Sequence, residues 1–260
     1  MNLLDASAKA RVYDLGQPYF VGMPHFPTHP PFLHSLTRLH GDSVYAGGGS
    51  SASDAIAMSS HTGTHIDALN HFSCGGVLFG GMPVEGSQDY GGVRVLGAET
   101  IGPIVRRGVL LDIAGLLGVD ALGEDYEVTP ADLEGACEGQ VVEPGDVVLL
   151  RTGWARFFPD PRRFLPGGSK SPGPGRAAAE WLSARRIFAA GSDTLTFEHT
   201  PAAAMPVHVH LLVECGIHII EVLNLEELAR DRVREFLFVA APLKLRDATG
   251  APLRPLALVG

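Results

Sequence analysis

Three histidines and one aspartate, His61, His65, Asp67 and His71, fall within residues 59–72, SSHTGTHIDALNHF. They stand at i, i+4, i+6 and i+10. On a helix the first two share a face, but i+6 points away. Gly63, between Thr62 and Thr64, is also poor helix material. The pattern therefore predicts a strand entering a turn at Gly63, then an irregular segment. On extended backbone His65 and Asp67 share one face, because side chains alternate. Imidazole nitrogens with a carboxylate oxygen suit Zn²⁺, Mn²⁺ or Fe²⁺, and the only nearby thiol is Cys74. A polar loop could also carry histidines. Four ligand-type residues this close favour a metal that activates water.

The elements that must position this stretch can be read along the chain. Residues 11–16 read as a short strand ending in a turn. Residues 17–32, QPYFVGMPHFPTHPPF, are proline-rich and read as a rigid loop. Residues 40–53 are a Gly/Ser-rich connection, and residues 55–60 a strand that delivers the motif. Residues 74–86 form a loop near the site, and residues 93–96 a short strand. Residues 109–113, VLLDI, read as a buried strand. Thr129 N-caps a helix that opens at Pro130. Residues 147–154, VVLLRTGW, are a central strand running into a glycine turn. Arg151 at its end either orients a substrate carbonyl or carboxylate, or makes a structural ion pair. Residues 158–175 read as a lid or surface excursion. Residues 176–185 form a helix with Ala177, Trp181 and Leu182 on one face, and residues 187–190 a strand. His208, His210, Leu211 and Leu212 open a short helix that Gly216 ends. Residues 217–222 are a strand with Glu221 at its end. Two strands around the DATGAP turn, within residues 236–259, close the sheet. No repeat and no domain boundary is visible, so residues 1–260 read as one domain.

The segment HTGTHIDALNH resembles the HxGTHxDxPxH signature of the cyclase-like metal-dependent hydrolases, which include bacterial kynurenine formamidases and isatin hydrolases. Leu69 stands where that signature has proline, and no ligand is lost. The stretch from Pro206 to Leu228 is similar to the family's PxHxxLL…GIxIxEN segment. By that match His208 and Glu221 complete the metal site, with His210, two positions on, as the competing candidate. The loop GMPHFPT is similar to a GMPxWPG loop whose aromatic lines the substrate pocket, which assigns Phe26 to substrate binding. Phenylalanine replaces the tryptophan there, and Thr28 the glycine. Asp193, in a turn like the family's GxDTxS, shapes the site rather than binding metal. The resemblance implies an α/β fold of the swivelling β/β/α type: a mixed, partly barrel-like sheet with flanking helices. It also implies a homodimer or homotetramer.

Composition bounds the alternatives. Asp plus Glu number 29 against 20 Lys plus Arg, a net charge of −9, which argues against nucleic acid as partner. Hydrophobic residues at 45% argue against disorder. Three cysteines without paired spacing fit a reducing cytoplasm better than a disulfide framework. The N-terminus has no long apolar core, so no signal peptide is read there. No apolar run reaches membrane-spanning length, so no membrane partner is expected.

With the resemblance, the ligand inventory is His61, His65, Asp67, His208 and Glu221. Five donors exceed what one tetrahedral Zn²⁺ needs. Two ions bridged by a carboxylate would use them all, as would one Mn²⁺ of higher coordination number. His71 is then free as the catalytic proton carrier, and histidine's ordinary pKa suits that task. The expected reaction is hydrolysis of a C–N bond in a small aryl amide, formamide or lactam, with Phe26 and Trp154 as aromatic lining. Two other classes stay open. His65-Ile66-Asp67 with a distant histidine also fits a non-haem iron oxygenase, which would consume O₂. A metal- or ligand-binding protein without turnover would have no need of His71 as a proton carrier.

Overall fold

The computed structural model describes residues 9–168 and 170–260. The N-terminus read as lacking a signal peptide begins in residues 1–8, outside the described residues. Eleven strands matter for the site: β1 (Arg11–Asp14), β2 (Leu33–Arg38), β3 (Ser53–Ala57), β4 (His65–Asp67), β5 (Ile104–Asp112), β6 (Val147–Arg151), β7 (Ala189–Ser192), β8 (His218–Glu221), β9 (Glu235–Ala240), β10 (Gly250–Pro252) and β11 (Leu256–Val259). Nine of them form one curled, half-barrel sheet in the order β1-β11-β9-β5-β6-β7-β8-β4-β10. The middle four, β5 to β8, run parallel. The strands on either side pair antiparallel.

Parallel strands covered on both faces need apolar residues at successive positions. β6 meets this with VVLLR, buried throughout. Alternate side chains of the central strands feed opposite cores. Leu111, Val148, Leu150 and Ile219 pack under α1 (Pro130–Cys137) and α2 (Arg176–Ala184). Leu110, Leu149 and Ile220 pack on the other face with Phe238 and Leu228. α1 begins as its sequence predicts. Thr129 Oγ1 accepts from Asp132 N–H and the Asp132 carboxylate accepts from Thr129 N–H, a reciprocal cap.

Several elements differ from the sequence reading. The strand expected at residues 55–60 is β3, which pairs only with β2 in an exposed hairpin. The metal motif rides on a separate strand, β4. β2 has no buried face, so it gave no periodic apolar signal. Residues 158–175 are not an exposed excursion. Phe158 and Phe164 are buried with Trp154 and Met23, and Trp154 Nε1–H donates to the Phe164 carbonyl at 3.0 Å. The inward face of α2 is Ala178, Ala179 and Leu182, whereas Ala177 is exposed.

Arg151 is resolved as structural. Its guanidinium donates to Asp112 Oδ1 at 2.9 Å and spans both Glu226 oxygens at 2.9 and 3.0 Å. Removing the cation strands a buried Asp112 carboxylate, a change worth about 3–5 kcal/mol. Arg151→Ala is therefore expected to unfold at clearly lower urea concentration than wild type. An unchanged midpoint would show that the triad contributes nothing.

Candidate metal centre

Sheet register assembles the donors. β4 lies between β8 and β10, with His65 opposite Glu221 and Asp67 opposite Gly250. The preceding turn needs glycine at position 63. Its φ is +68°, and a Cβ there would meet the Tyr19 ring at 2.7 Å. At Gly250 the reason is space, since a Cβ would sit 2.6 Å from His61 Cε1. His208 arrives at the end of a single helical turn, Pro206–His208, which runs into a π-helical segment, Val209–Cys215. Such widened turns often mark functional sites.

Two donor groups result: His61, His65 and Asp67, and then Asp67, His208 and Glu221, each with its ligand atoms within 4.8 Å of one another. Asp67 belongs to both. His65 Nε2 lies 3.5 Å from Asp67 Oδ1 and 3.3 Å from Glu221 Oε2. His208 Nε2 lies 3.3 Å from Glu221 Oε1 and 3.9 Å from Asp67 Oδ2. His61 Nδ1 is 2.8 Å from Asp67 Oδ1, yet it is not aligned as a donor to it. Both Asp67 oxygens, His61 Nδ1 and His65 Nε2 are buried without a hydrogen-bond partner. Buried polar atoms seldom go unpaired, and an N/O set converging this way fits a divalent cation. The outward-facing nitrogens are engaged. His65 Nδ1–H donates to the Gly63 carbonyl at 2.8 Å, which leaves Nε2 as the free lone pair. His61 Nε2 meets Thr249 Oγ1 at 2.9 Å.

Burial alone pulls the His65 and His208 imidazoles down, but the facing carboxylates outweigh it. Asp67 and Glu221 hold His65 up at about 10, and Glu198, Glu221 and Asp67 do the same for His208. Burial and Asp67 push the Glu221 carboxyl up, yet His208 and His65 bring it to about 2. Cation binding requires neutral imidazoles. Loading near pH 7 should therefore expel about two protons, with affinity rising as pH climbs toward 10. The metal-free fold gains from these two protonated imidazoles fully below pH 6.5 and loses that gain on the way to about 10. Metal should consequently raise the melting temperature more at pH 9 than at pH 7. Equal shifts at both would contradict protonated ligands.

A cavity of about 220 Å³ opens beside the donors. Phe26, Phe72, Leu195 and Met205 wall it, and His29, His71 and His208 face it. Phe26 thus lies on the wall of this cavity. Trp154 does not; it belongs to the buried aromatic cluster. His71 is in neither donor group and stacks on the His61 ring at 4.0 Å. Asp193 is buried away from the donors, taking hydrogen bonds from Thr152 N–H and Oγ1. Of the two candidate histidines, His208 joins the cluster. His210 turns outward, with Nε2 2.8 Å from Ser183 Oγ and Nδ1–H donating to Glu214 at 2.6 Å. His208→Ala should therefore weaken chelator-resistant metal binding, and His210→Ala should leave it intact; the reverse order would move the ligand. Sequence reasoning missed Phe72, Leu195 and Met205, whose apolar types carry no chemical signal. His29, from the proline-rich loop, also stands beside Phe26 on the cavity wall.

The family model Cyclase matches residues 13–199. The chain belongs to the cyclase family. This cyclase-family chain is 30% identical over 213 residues to the isatin hydrolase of Roseibium aggregatum, covering 78% of this chain and 73% of that protein. It is 25% identical over 243 residues to the kynurenine formamidase of Paracidovorax citrulli, covering 94% of each. A crystal structure described as a novel cyclase superposes with a TM-score of 0.88 at 32% identity, covering 98% of this chain and 88% of that one.

Proposed function

We propose that this cyclase-family member is a metal-dependent hydrolase that cleaves a C–N bond of a small aryl amide, formamide or lactam. The observation that carries the reading is the meeting of five N/O donors, a further imidazole outside them and an aromatic-walled cavity at one place. His61, His65, Asp67, His208 and Glu221 hold one or two divalent ions, Zn²⁺ or Mn²⁺. When bound, such a cation polarises a carbonyl and lowers the pKa of water to about 7. Phe26 and Phe72 seat the aryl ring and exclude water from its faces. Leu195 and Met205 fill the remaining wall. His71 takes the proton from the attacking water and returns it to the leaving nitrogen. Burial, reinforced by His61 and His208 and only partly opposed by Asp67, pushes His71 down to about 3, so it stands neutral, with a free ring lone pair, at pH 7. Isatin-like lactams and N-formylkynurenine-like formamides, the substrates the two relatives' names indicate, are the classes to try first.

The chain acts as one domain, residues 1–260. Its hairpin exposes Leu33, Leu36 and Ile56, apolar surface that a homodimer or homotetramer would cover. Three free cysteines suit the cytoplasm. Among the described residues no helix is long and apolar enough to cross a membrane.

Metal analysis of the purified protein, followed by hydrolysis assays on isatin and an aryl formamide with Zn²⁺ and Mn²⁺, tests the proposal. Stoichiometric metal with turnover of either substrate is expected. Bound metal with no hydrolysis, or O₂ consumption by the Fe²⁺ form, would overturn it.

A further inference from the structure

We propose that Glu198 is a positioning residue, a carboxylate that holds the His208 imidazole with Nδ1 protonated and Nε2 turned toward Asp67 and Glu221. The inference rests on reading His208 as a ligand. Glu198 is 1% exposed, and it does not line the cavity. It can therefore act only through its neighbours. Its Oε2 accepts the Val207 N–H at 2.9 Å. Its Oε1 lies 3.4 Å from His208 Nδ1, and neither atom has any other partner. An unpartnered carboxylate oxygen and an unpartnered ring nitrogen, both buried, gain most by meeting each other. At 3.4 Å the contact is slightly long, and catalytic hydrogen bonds often tighten only when a site is loaded.

One carboxylate thus grips two consecutive residues, the backbone of 207 and the ring of 208. It fixes where the helical turn Pro206–His208 begins and which way the ring faces. The backbone presenting Glu198 is itself confined. Thr196 Oγ1 donates to the Glu198 carbonyl at 3.2 Å, and a Cβ on Gly173 would lie 2.5 Å from the Glu198 carbonyl carbon.

The three cluster histidines differ in this respect. His65 is held by a backbone carbonyl and His61 faces a hydroxyl. Among these three only His208 faces a carboxylate through its outer nitrogen. A carboxylate behind a ligating imidazole fixes the tautomer and raises the basicity of the opposite nitrogen. His208 lies far in sequence from the 61–67 motif and is the only one of the five donors carried on helix. It gains the most from an added hold.

Glu198→Gln in the full chain is the test. Glutamine keeps an oxygen for Val207 N–H but removes the charge facing His208. Competition against a chromophoric chelator should show Zn²⁺ and Mn²⁺ bound about 10–100-fold more weakly than by wild type. The visible spectrum of the Co²⁺ form should shift as well. Wild-type affinity in Glu198→Gln would overturn the assignment. Long-range ¹H–¹⁵N spectra of the Zn²⁺-loaded wild type, with His208 assigned by its loss in His208→Gln, give an answer even where the variant folds poorly. A proton on Nδ1 is expected, and a proton on Nε2 would overturn the inference. Failure of wild type to bind either cation would instead defeat the metal reading itself.

Discussion

Asp67→Ala should yield protein that purifies without metal and does not take it up at concentrations that saturate wild type. Asp67 is fully buried, and it is the one residue common to both donor groups. Its Oδ1 faces His61 and His65, and its Oδ2 faces His208. Deleting it separates the two groups and removes one of the two carboxylates that offset the cation's charge. Losing a mere outer partner typically costs about 10–100-fold in metal affinity, so losing this shared ligand should cost more. A second effect follows by mass action. A cation present at a thousand times its Kd stabilises the fold by about 4 kcal/mol, so added metal should raise the melting temperature of wild type and not of the variant. Elemental analysis and paired melts decide it. Full occupancy in Asp67→Ala would remove Asp67 from the metal shell.

His71→Ala should do the opposite, keeping metal and losing turnover. His71 lies outside both donor groups, with its ring 4.0 Å from that of His61 and 6.4 Å from that of His208. That is close enough to exchange a proton with whatever those groups hold. General acid–base catalysis is worth about 10²–10⁴-fold, and that is the expected fall in kcat. KM should change little, because the aromatic walls do the seating. With His71 pushed down to about 3, protonation of His71 should not limit the wild-type rate between pH 5 and 8. Parallel loss of metal and activity would make His71 a ligand, and a near-normal kcat would make it a bystander.

Much of the candidate site was legible because its residue types are chemically loud. His61, His65 and Asp67 announce themselves by spacing, whereas Glu221 came from the likeness of residues 206–228 to a family segment. His208 and His210 were harder. Two imidazoles on one helical segment can be told apart only by the direction in which each points, and that direction depends on packing against residues far away in sequence. Glu198 carried no local signal at all, since a glutamate becomes meaningful only once an imidazole is known to face it. In the fold, the buried strands were visible as apolar runs at residues 109–113 and 147–154. The hairpin was not, because β2 and β3 bury nothing and so lack alternation. The 158–175 segment misled through its Pro, Gly and Arg content, while Phe158 and Phe164 quietly anchor it.

The position of β4 has a consequence for biosynthesis. Its two neighbours, β8 and β10, both come from the last fifth of the chain. As the polypeptide leaves the ribosome, the 61–67 motif emerges early and then waits, without a strand to pair with, while roughly 150 more residues are translated. Contacts of such long sequence separation form slowly. The nascent motif offers two imidazoles and an aspartate in an unpaired stretch, a weak chelator that any abundant cation can visit and leave. Selection of the resident ion is thus deferred until β8 docks and brings Glu221 alongside His65. A chain cut short before residue 218 would leave β4 unpaired and β7 as a naked sheet edge, and such a fragment is expected to aggregate rather than to persist as a weaker enzyme.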